Sequence, residues 1–110
     1  MEFDTQVVGD DAVVITPRGR LNMVAAPRLR TLLTETVKGG QKRIVVDLSA
    51  TDFMDSSGLG AIIAGLKTAR QAGGDLRIAS VTPQVAMVLQ LTNLDRVLRA
   101  YETPEAALGG

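Results

Sequence analysis

The stretch that decides the fold is "RIVVDLSATDFMDSSGLGAIIAGLKTARQAGG", residues 43–74. It opens with a β-branched run from Arg43 to Leu48 that lacks polar alternation, which is typical of a strand covered on both faces. A helix is predicted from about Ser57 to Ala72, because apolar residues then recur at helical spacing and Gly73 stops them. Its core stripe consists of Leu59, Ile62, Ile63 and Leu66. A covered strand followed by a helix indicates an α/β domain.

The same alternation continues outward on both sides of this stretch. The predicted order is β-β-α-β-α-β-α-β-α, which indicates a single mixed β-sheet with an N-terminal hairpin and about four helices. The other predicted strands are Phe3–Val8, Ala12–Arg18 (ended by Pro17 and Gly19), Leu76–Ala79 and Val97–Tyr101, with a "GDD" turn at 9–11. The other predicted helices are Ala25–Lys38, a helix from Pro83 to about Asn93 that Thr82 caps, and a short one in "ETPEAALGG".

Composition narrows the class of protein. The chain has 110 residues, which suits one domain spanning 1–110, and its 3% aromatic content requires an aliphatic core. Twelve basic and twelve acidic residues argue against a nucleic acid or an anionic membrane as the main partner. The sequence lacks cysteine and any apolar run of about 20 residues, so we expect a cytoplasmic protein. A local basic cluster, Arg18, Arg20, Arg28 and Arg30, is interpreted as solvated surface.

The segment "FMDSSGLG", residues 53–60, places two hydroxyls between an aspartate and a glycine. A serine nucleophile needs a nearby base, and the chain has no histidine and no cysteine. The segment also lacks the G-x-S-x-G pattern of hydrolases. We therefore predict no catalytic residue and no enzyme activity.

Metal and phosphate chemistry offers further alternatives. Asp47, Asp52 and Asp55 are close in sequence, but we interpret them as turn-capping residues and predict no metal and no cofactor. A receiver-like phosphoaspartate on Asp47 or Asp55 is disfavoured, because the acidic pair at 10–11 falls in a hairpin and the last strand lacks lysine. A lone "GLG" gives little support to nucleotide binding.

Two interpretations of the serines remain compatible. One serine caps the helix, since serine is a favoured N-cap residue, while its neighbour is exposed to a modifying protein. The face opposite the core stripe carries Gly60, Ala61, Ala64 and Thr68, all small. That face is either a docking site for a partner or a surface packed against another element of the fold.

The segment from "VVDLSATDF" through "LTNLDRVL" resembles the STAS domain of bacterial anti-sigma factor antagonists. The likeness covers almost the whole chain and is most specific at Phe53 to Gly60. It implies the STAS fold and a regulatory function. In that family the serine after the aspartate, here Ser56, is phosphorylated by the anti-sigma factor, which is itself a serine kinase. The unphosphorylated antagonist binds the anti-sigma factor and releases the sigma factor, and a metal-dependent serine phosphatase restores that state.

The resemblance also implies a partner-binding surface around Ser56. Its expected members are Asn22, Asp55, Ser57, Gly58, Leu59, Gly60, Ala61 and Ala64. We expect a monomer or weak dimer, with no nucleic acid or membrane as partner. The alternative is a STAS subunit of a non-sigma complex, in lipid transport or stress signalling, that uses the same face constitutively.

The sequence departs from the family pattern after the second strand. Family members often carry an acidic residue there, followed by an aspartate before the first helix. This chain has "GRLNMVAAP", with Arg20 and Asn22. Asn22 retains hydrogen-bonding capacity but lacks the charge, so the departure bears on the choice of partner.

Overall fold

Six strands form one sheet in the computed structural model, which describes residues 2–109. They are β1 (Glu2–Val8), β2 (Ala12–Leu21), β3 (Arg43–Asp47), β4 (Thr51–Met54), β5 (Asp75–Ala79) and β6 (Ala100–Tyr101). The strand order is β1-β2-β3-β5-β6, and β4 pairs with β2 off this path. Only the β1–β2 hairpin is antiparallel among the strand pairs of this range. The predicted mixed sheet with an N-terminal hairpin is confirmed.

Residues 2–109 contain four helices, as predicted; three of them connect strands and the fourth follows β6. They are α1 (Ala26–Lys38), α2 (Ser56–Gln71), α3 (Pro83–Thr92) and α4 (Pro104–Gly109). The predicted start of α3 is confirmed, since the Thr82 hydroxyl accepts a hydrogen bond from the Val85 amide at 3.4 Å and Pro83 occupies the first helical position. A 3₁₀ turn, Leu94–Arg96, follows α3. Because of that turn, β6 begins at Ala100 and not at the predicted Val97.

Strand β2 runs further than its turn-forming residues suggested. Gly19 adopts φ +104°, where a side chain would be strained, and a register shift follows it. The strand has two parallel partners in turn: β3 pairs with Ala12–Ile15, and β4 pairs with Gly19–Leu21, on both sides of the shift. The predicted end at Arg18 was wrong because β4 pairs with the rest of the strand, up to Leu21.

Strand β4 was missed in the sequence analysis, which placed no strand between Leu48 and the helix at about Ser57. It has four residues, and its hydrogen-bonding partner is the far half of β2. The buried Thr51 side chain is satisfied by donating to the Pro17 carbonyl at 3.1 Å. This short strand carries the chain directly to the two serines.

The core is aliphatic and lies mainly on the face of the sheet covered by α1, α2 and α3. A smaller cluster on the opposite face, Val14, Val45, Ala79 and Ala107, is closed by α4. Burial on both faces explains the missing alternation in β3, whose Ile44, Val45 and Val46 are all buried. Helices α1 and α2 approach closely at Gly65, where an added Cβ would lie 2.5 Å from Leu33 Cδ1. This contact fixes the side of α2 that faces α1.

Candidate functional site

Strand β4 and helix α2 present Ser56 to solvent. The N-cap of α2 is Asp55, whose Oδ1 accepts a hydrogen bond from the Gly58 amide at 3.0 Å. The expectation that one serine caps this helix was wrong, because the carboxylate takes that role. Ser56 is the first residue of α2 and is exposed. Within residues 2–109 its hydroxyl has no hydrogen-bond partner, so it is available to an approaching protein.

The end of β4 is held in place from two sides. Gln84 of α3 donates from Nε2 to the Met54 carbonyl and accepts from the Met54 amide, both at 2.8 Å. On the other side, the Asp55 amide donates to the Leu21 carbonyl at 3.3 Å. The Gln84 side chain thus makes the two backbone hydrogen bonds at Met54 that a neighbouring strand could otherwise make. Met54 lies two residues before Ser56. Sequence reasoning missed Gln84, because nothing local indicates that α3 lies beside β4.

Three of the expected partner-binding residues are buried. An added Cβ on Gly58 would lie 2.4 Å from the Leu21 carbonyl oxygen, so this glycine allows α2 to pack on the end of β2. Leu59 is 1% exposed and Ala61 is 3% exposed, both within the main core. The prediction that Gly58, Leu59 and Ala61 belong to an exposed contact surface is corrected, because all three residues are buried.

The remaining part of α2 does form an open surface. Gly60 is exposed, while Ser57 and Ala64 are half-buried. A groove of about 290 Å³ runs between the starts of α1 and α2 and is lined by Met23, Ala26, Pro27, Arg30, Ser57, Gly60 and Ala61. An added Cβ on Gly60 would meet nothing within 4 Å. Unlike Gly58, Gly60 is therefore not required by packing.

Asn22 organises the loop between β2 and α1. Its Oδ1 accepts from the Val24 amide at 3.0 Å and from the Ala25 amide at 3.3 Å. Its side chain serves the turn, which an asparagine can cap without charge. The turn projects two apolar side chains that the sequence did not single out: Met23 is 70% exposed and Val24 is 77% exposed.

The basic cluster contains arginines in different environments. Arg18 is ion-paired with Asp4, and the hydrogen bond to Asp4 and its charge raise the pKa of Arg18. Arg28 lies over the Phe3 ring, 5.5 Å from its centroid. Arg20 is exposed and its guanidinium lies 4.5 Å from the centroid of Phe53. The interpretation of this cluster as solvated surface is therefore incomplete, because Arg20 is held against the strand that leads to Ser56.

Two of the three aspartates that are close in sequence accept hydrogen bonds from backbone amides, and the third, Asp52, is exposed. Asp55 caps α2, and Asp47 accepts from the Ser49 amide at 3.0 Å. Across residues 2–109, no three acidic, histidine or cysteine side chains are grouped so that they could hold a metal ion. The candidate site therefore consists of the exposed Ser56 hydroxyl, the N-terminus of α2 and the groove between the starts of α1 and α2.

Comparison with known proteins identifies the family. A family model described as the STAS domain matches residues 2–107. The chain belongs to the STAS-domain family. Its relatives include a Thermotoga maritima protein with the provisional name of anti-sigma factor antagonist, 34% identical over 100 residues that cover 90% of this chain and 88% of the relative. The anti-sigma F factor antagonist of Paenibacillus polymyxa is 30% identical over 97 residues, covering 87% and 83% of the two chains.

Solved structures agree with this assignment. The unphosphorylated form of the anti-sigma factor antagonist SpoIIAA superposes with a TM-score of 0.84 at 25% identity, covering 97% of this STAS-domain chain and 93% of SpoIIAA. These relatives carry the names of regulatory proteins, and the chain is similar to anti-sigma factor antagonists over most of its length. None of the helices in the described range 2–109 has the length and apolar character needed to cross a membrane.

Proposed function

We propose that this protein is a cytoplasmic anti-sigma factor antagonist whose binding to a serine-kinase anti-sigma factor is controlled by phosphorylation of Ser56. The unphosphorylated form binds the anti-sigma factor and thereby releases the sigma factor. A metal-dependent serine phosphatase returns the protein to that form. The observation that carries the proposal is the exposed Ser56 hydroxyl at the start of α2, left free because Asp55 caps the helix.

The reaction does not require a base within this chain. The Ser56 Oγ takes the γ-phosphoryl group of ATP, ADP leaves, and the hydroxyl proton passes to a base of the kinase. The protein supplies an accessible nucleophile on a rigid support. The absence of histidine and cysteine from the sequence fits this division of roles.

Phosphorylation is expected to change binding and to leave the fold intact. A phosphoserine adds about −1.5 to −2 charge at pH 7. At the first residue of α2, the helix dipole favours that charge, while the neighbouring Asp55 opposes it. A partner surface shaped for a neutral hydroxyl gains an unmatched charge, which costs about 2–5 kcal/mol. Affinity then falls by roughly 30-fold to several thousand-fold.

The proposed contact surface consists of Ser56, Gly60, Ala64, Met23 and Val24. Glycine in a helix interior costs about 1 kcal/mol relative to alanine, and the packing around Gly60 does not require it. A partner that approaches the helix backbone closely gives Gly60 a function. The exposed Met23 and Val24 extend this surface onto the neighbouring loop.

The test is incubation of the full chain with ATP and each candidate anti-sigma kinase of the same organism. Mass spectrometry of the tryptic peptide Ile44–Lys67 should locate one phosphate on Ser56. The Ser56→Ala variant should bind the kinase and remain unmodified, and the matched Ser57→Ala variant should still be phosphorylated. Ser56→Asp should bind at least about 30-fold more weakly than wild type. Unchanged binding of Ser56→Asp would instead favour a constitutive complex of the non-sigma kind.

A further inference from the structure

We propose that the partner surface that meets Ser56 is acidic and that Arg20 and Arg30 bind its carboxylates. Arg20 and Arg30 together form the arginine pair. The inference rests on the proposed function, since it names the chemistry of the partner at the same site.

Arg20 is positioned beside the phosphorylation site by the sheet. It lies in β2 opposite Phe53 of β4, and the chain reaches Ser56 three residues after Phe53. Its guanidinium lies 4.5 Å from the centroid of the Phe53 ring, which fixes the group while its N–H donors remain free at the edge. Among residues 2–109, no carboxylate forms an ion pair with Arg20. Its charge is therefore available to a partner.

Arg30 lies on the other side of the exposed loop. It is exposed on α1 and lines the same 290 Å³ groove as Ser57 and Gly60. It too lacks a carboxylate partner in the part of the chain that the structure describes. An arginine with an open N–H fork is the side chain best suited to bind a carboxylate through two parallel hydrogen bonds.

The loop between the arginine pair supplies an apolar centre. Met23 lines the groove that contains Arg30, and Val24 lines a larger cavity, of about 650 Å³, that contains Arg20. Exposed methionine and valine flanked by arginine resemble the composition of interface centres, which are enriched in methionine and arginine. The structure thus combines an apolar contact with two flanking cations, and a complementary partner carries carboxylates around an apolar patch.

This charge arrangement would also increase the loss of affinity caused by phosphorylation of Ser56. A phosphate on Ser56 would face the carboxylates that the arginine pair attracts, so the modified protein would repel the surface that it recognises. The phosphate would also compete for the arginine side chains within the same molecule. Recognition and release would then depend on one set of charges.

The inference is tested by calorimetric titration of the full chain with the kinase that phosphorylates Ser56. We expect Arg20→Glu and Arg30→Glu each to weaken binding about tenfold, because each places a like charge opposite the partner. The matched control is Arg99→Glu, another exposed arginine, next to β6 at the far edge of the sheet, which should stay within about twofold of wild type. Raising salt from about 0.05 to about 0.5 M should weaken the wild type more than the Arg20→Gln/Arg30→Gln double variant.

The outcomes separate this inference from the proposed function. If the kinase phosphorylates Ser56 but both reversals bind like Arg99→Glu, the acidic partner surface is refuted and the proposed function stands. If none of the kinases modifies Ser56, the proposed function itself fails. Titration with ATP alone and with inorganic phosphate alone should give no saturable binding. Saturable ATP binding that Arg20→Glu abolishes would make the arginine pair a nucleotide site and overturn the inference.

Discussion

The first turns of helices α2 and α3 both have backbone amides without acceptors inside the helix, and the two helices begin with different residues. Helix α3 begins with the cap Thr82 and with Pro83, whose missing N–H is harmless in the first turn. Helix α2 has an equally good cap in Asp55 but continues with serine, serine and glycine, which are poor helix formers. The first arrangement favours helix formation at both positions. The second accepts a weaker first turn in order to present a small, uncharged surface with an exposed hydroxyl.

Gly58 and Gly60, the two glycines nearest the start of α2, allow the test with the largest expected effect. Gly58→Ala would place a methyl group against the Leu21 carbonyl, which is backbone and cannot move away cheaply. We expect a loss of about 3 kcal/mol in the free energy of unfolding, measured by denaturant titration. Gly60→Ala is the matched control and should stabilise the protein by up to about 1 kcal/mol.

The pair of variants also separates packing from function. Gly60→Ala, although more stable, should bind the anti-sigma factor more weakly, because the added methyl stands on the proposed contact surface. Equal stability of the two variants would show that α2 does not pack on β2 as described.

Gln84 connects the two helix starts and gives the next largest effect. In Gln84→Ala, the amide and the carbonyl of the buried Met54 lose their partners. Buried polar groups left unsatisfied cost about 1–3 kcal/mol, and we expect about 2 kcal/mol in denaturant titration. Faster amide hydrogen exchange at residues 54–56 should accompany this loss.

Gln90→Ala is the control for this prediction. Gln90 lies on the same helix and is exposed, and its replacement by a better helix former should change stability little. If Gln84→Ala behaved like Gln90→Ala, the end of β4 would not depend on α3.

The sequence predicted the long helices and the hairpin well because their signals are local. The adjacent residues Thr82 and Pro83 indicate the start of α3, and paired glycines follow α1 and α2 and indicate where these helices end. Strand β4 gave no such signal. Four residues with an aspartate among them become a strand only because the far half of β2 lacks another parallel partner.

The candidate site was predicted in part for a similar reason. Ser56 was found by resemblance to a family motif, and the structure leaves its hydroxyl exposed. The outward assignment of Ala61 failed because a stripe of small residues is compatible with two different neighbours, a partner protein or another helix of the same fold. Here Ala61 is buried, and α1 approaches α2 closely at Gly65. That choice depends on how α1 packs, which periodicity within α2 does not reveal.

The smallest expected effect on stability is also the most informative about the switch. Ser56→Asp places a carboxylate at the first residue of α2, where the helix dipole contributes about 0.3–1 kcal/mol in its favour. Repulsion from Asp55 offsets part of this gain, so the free energy of unfolding should change by less than about 0.5 kcal/mol. Thermal unfolding of Ser56→Asp beside wild type is the measurement. A large drop in its unfolding temperature would mean that charge at this position damages the fold, and weak partner binding by the variant would then follow from unfolding and not from an altered interface.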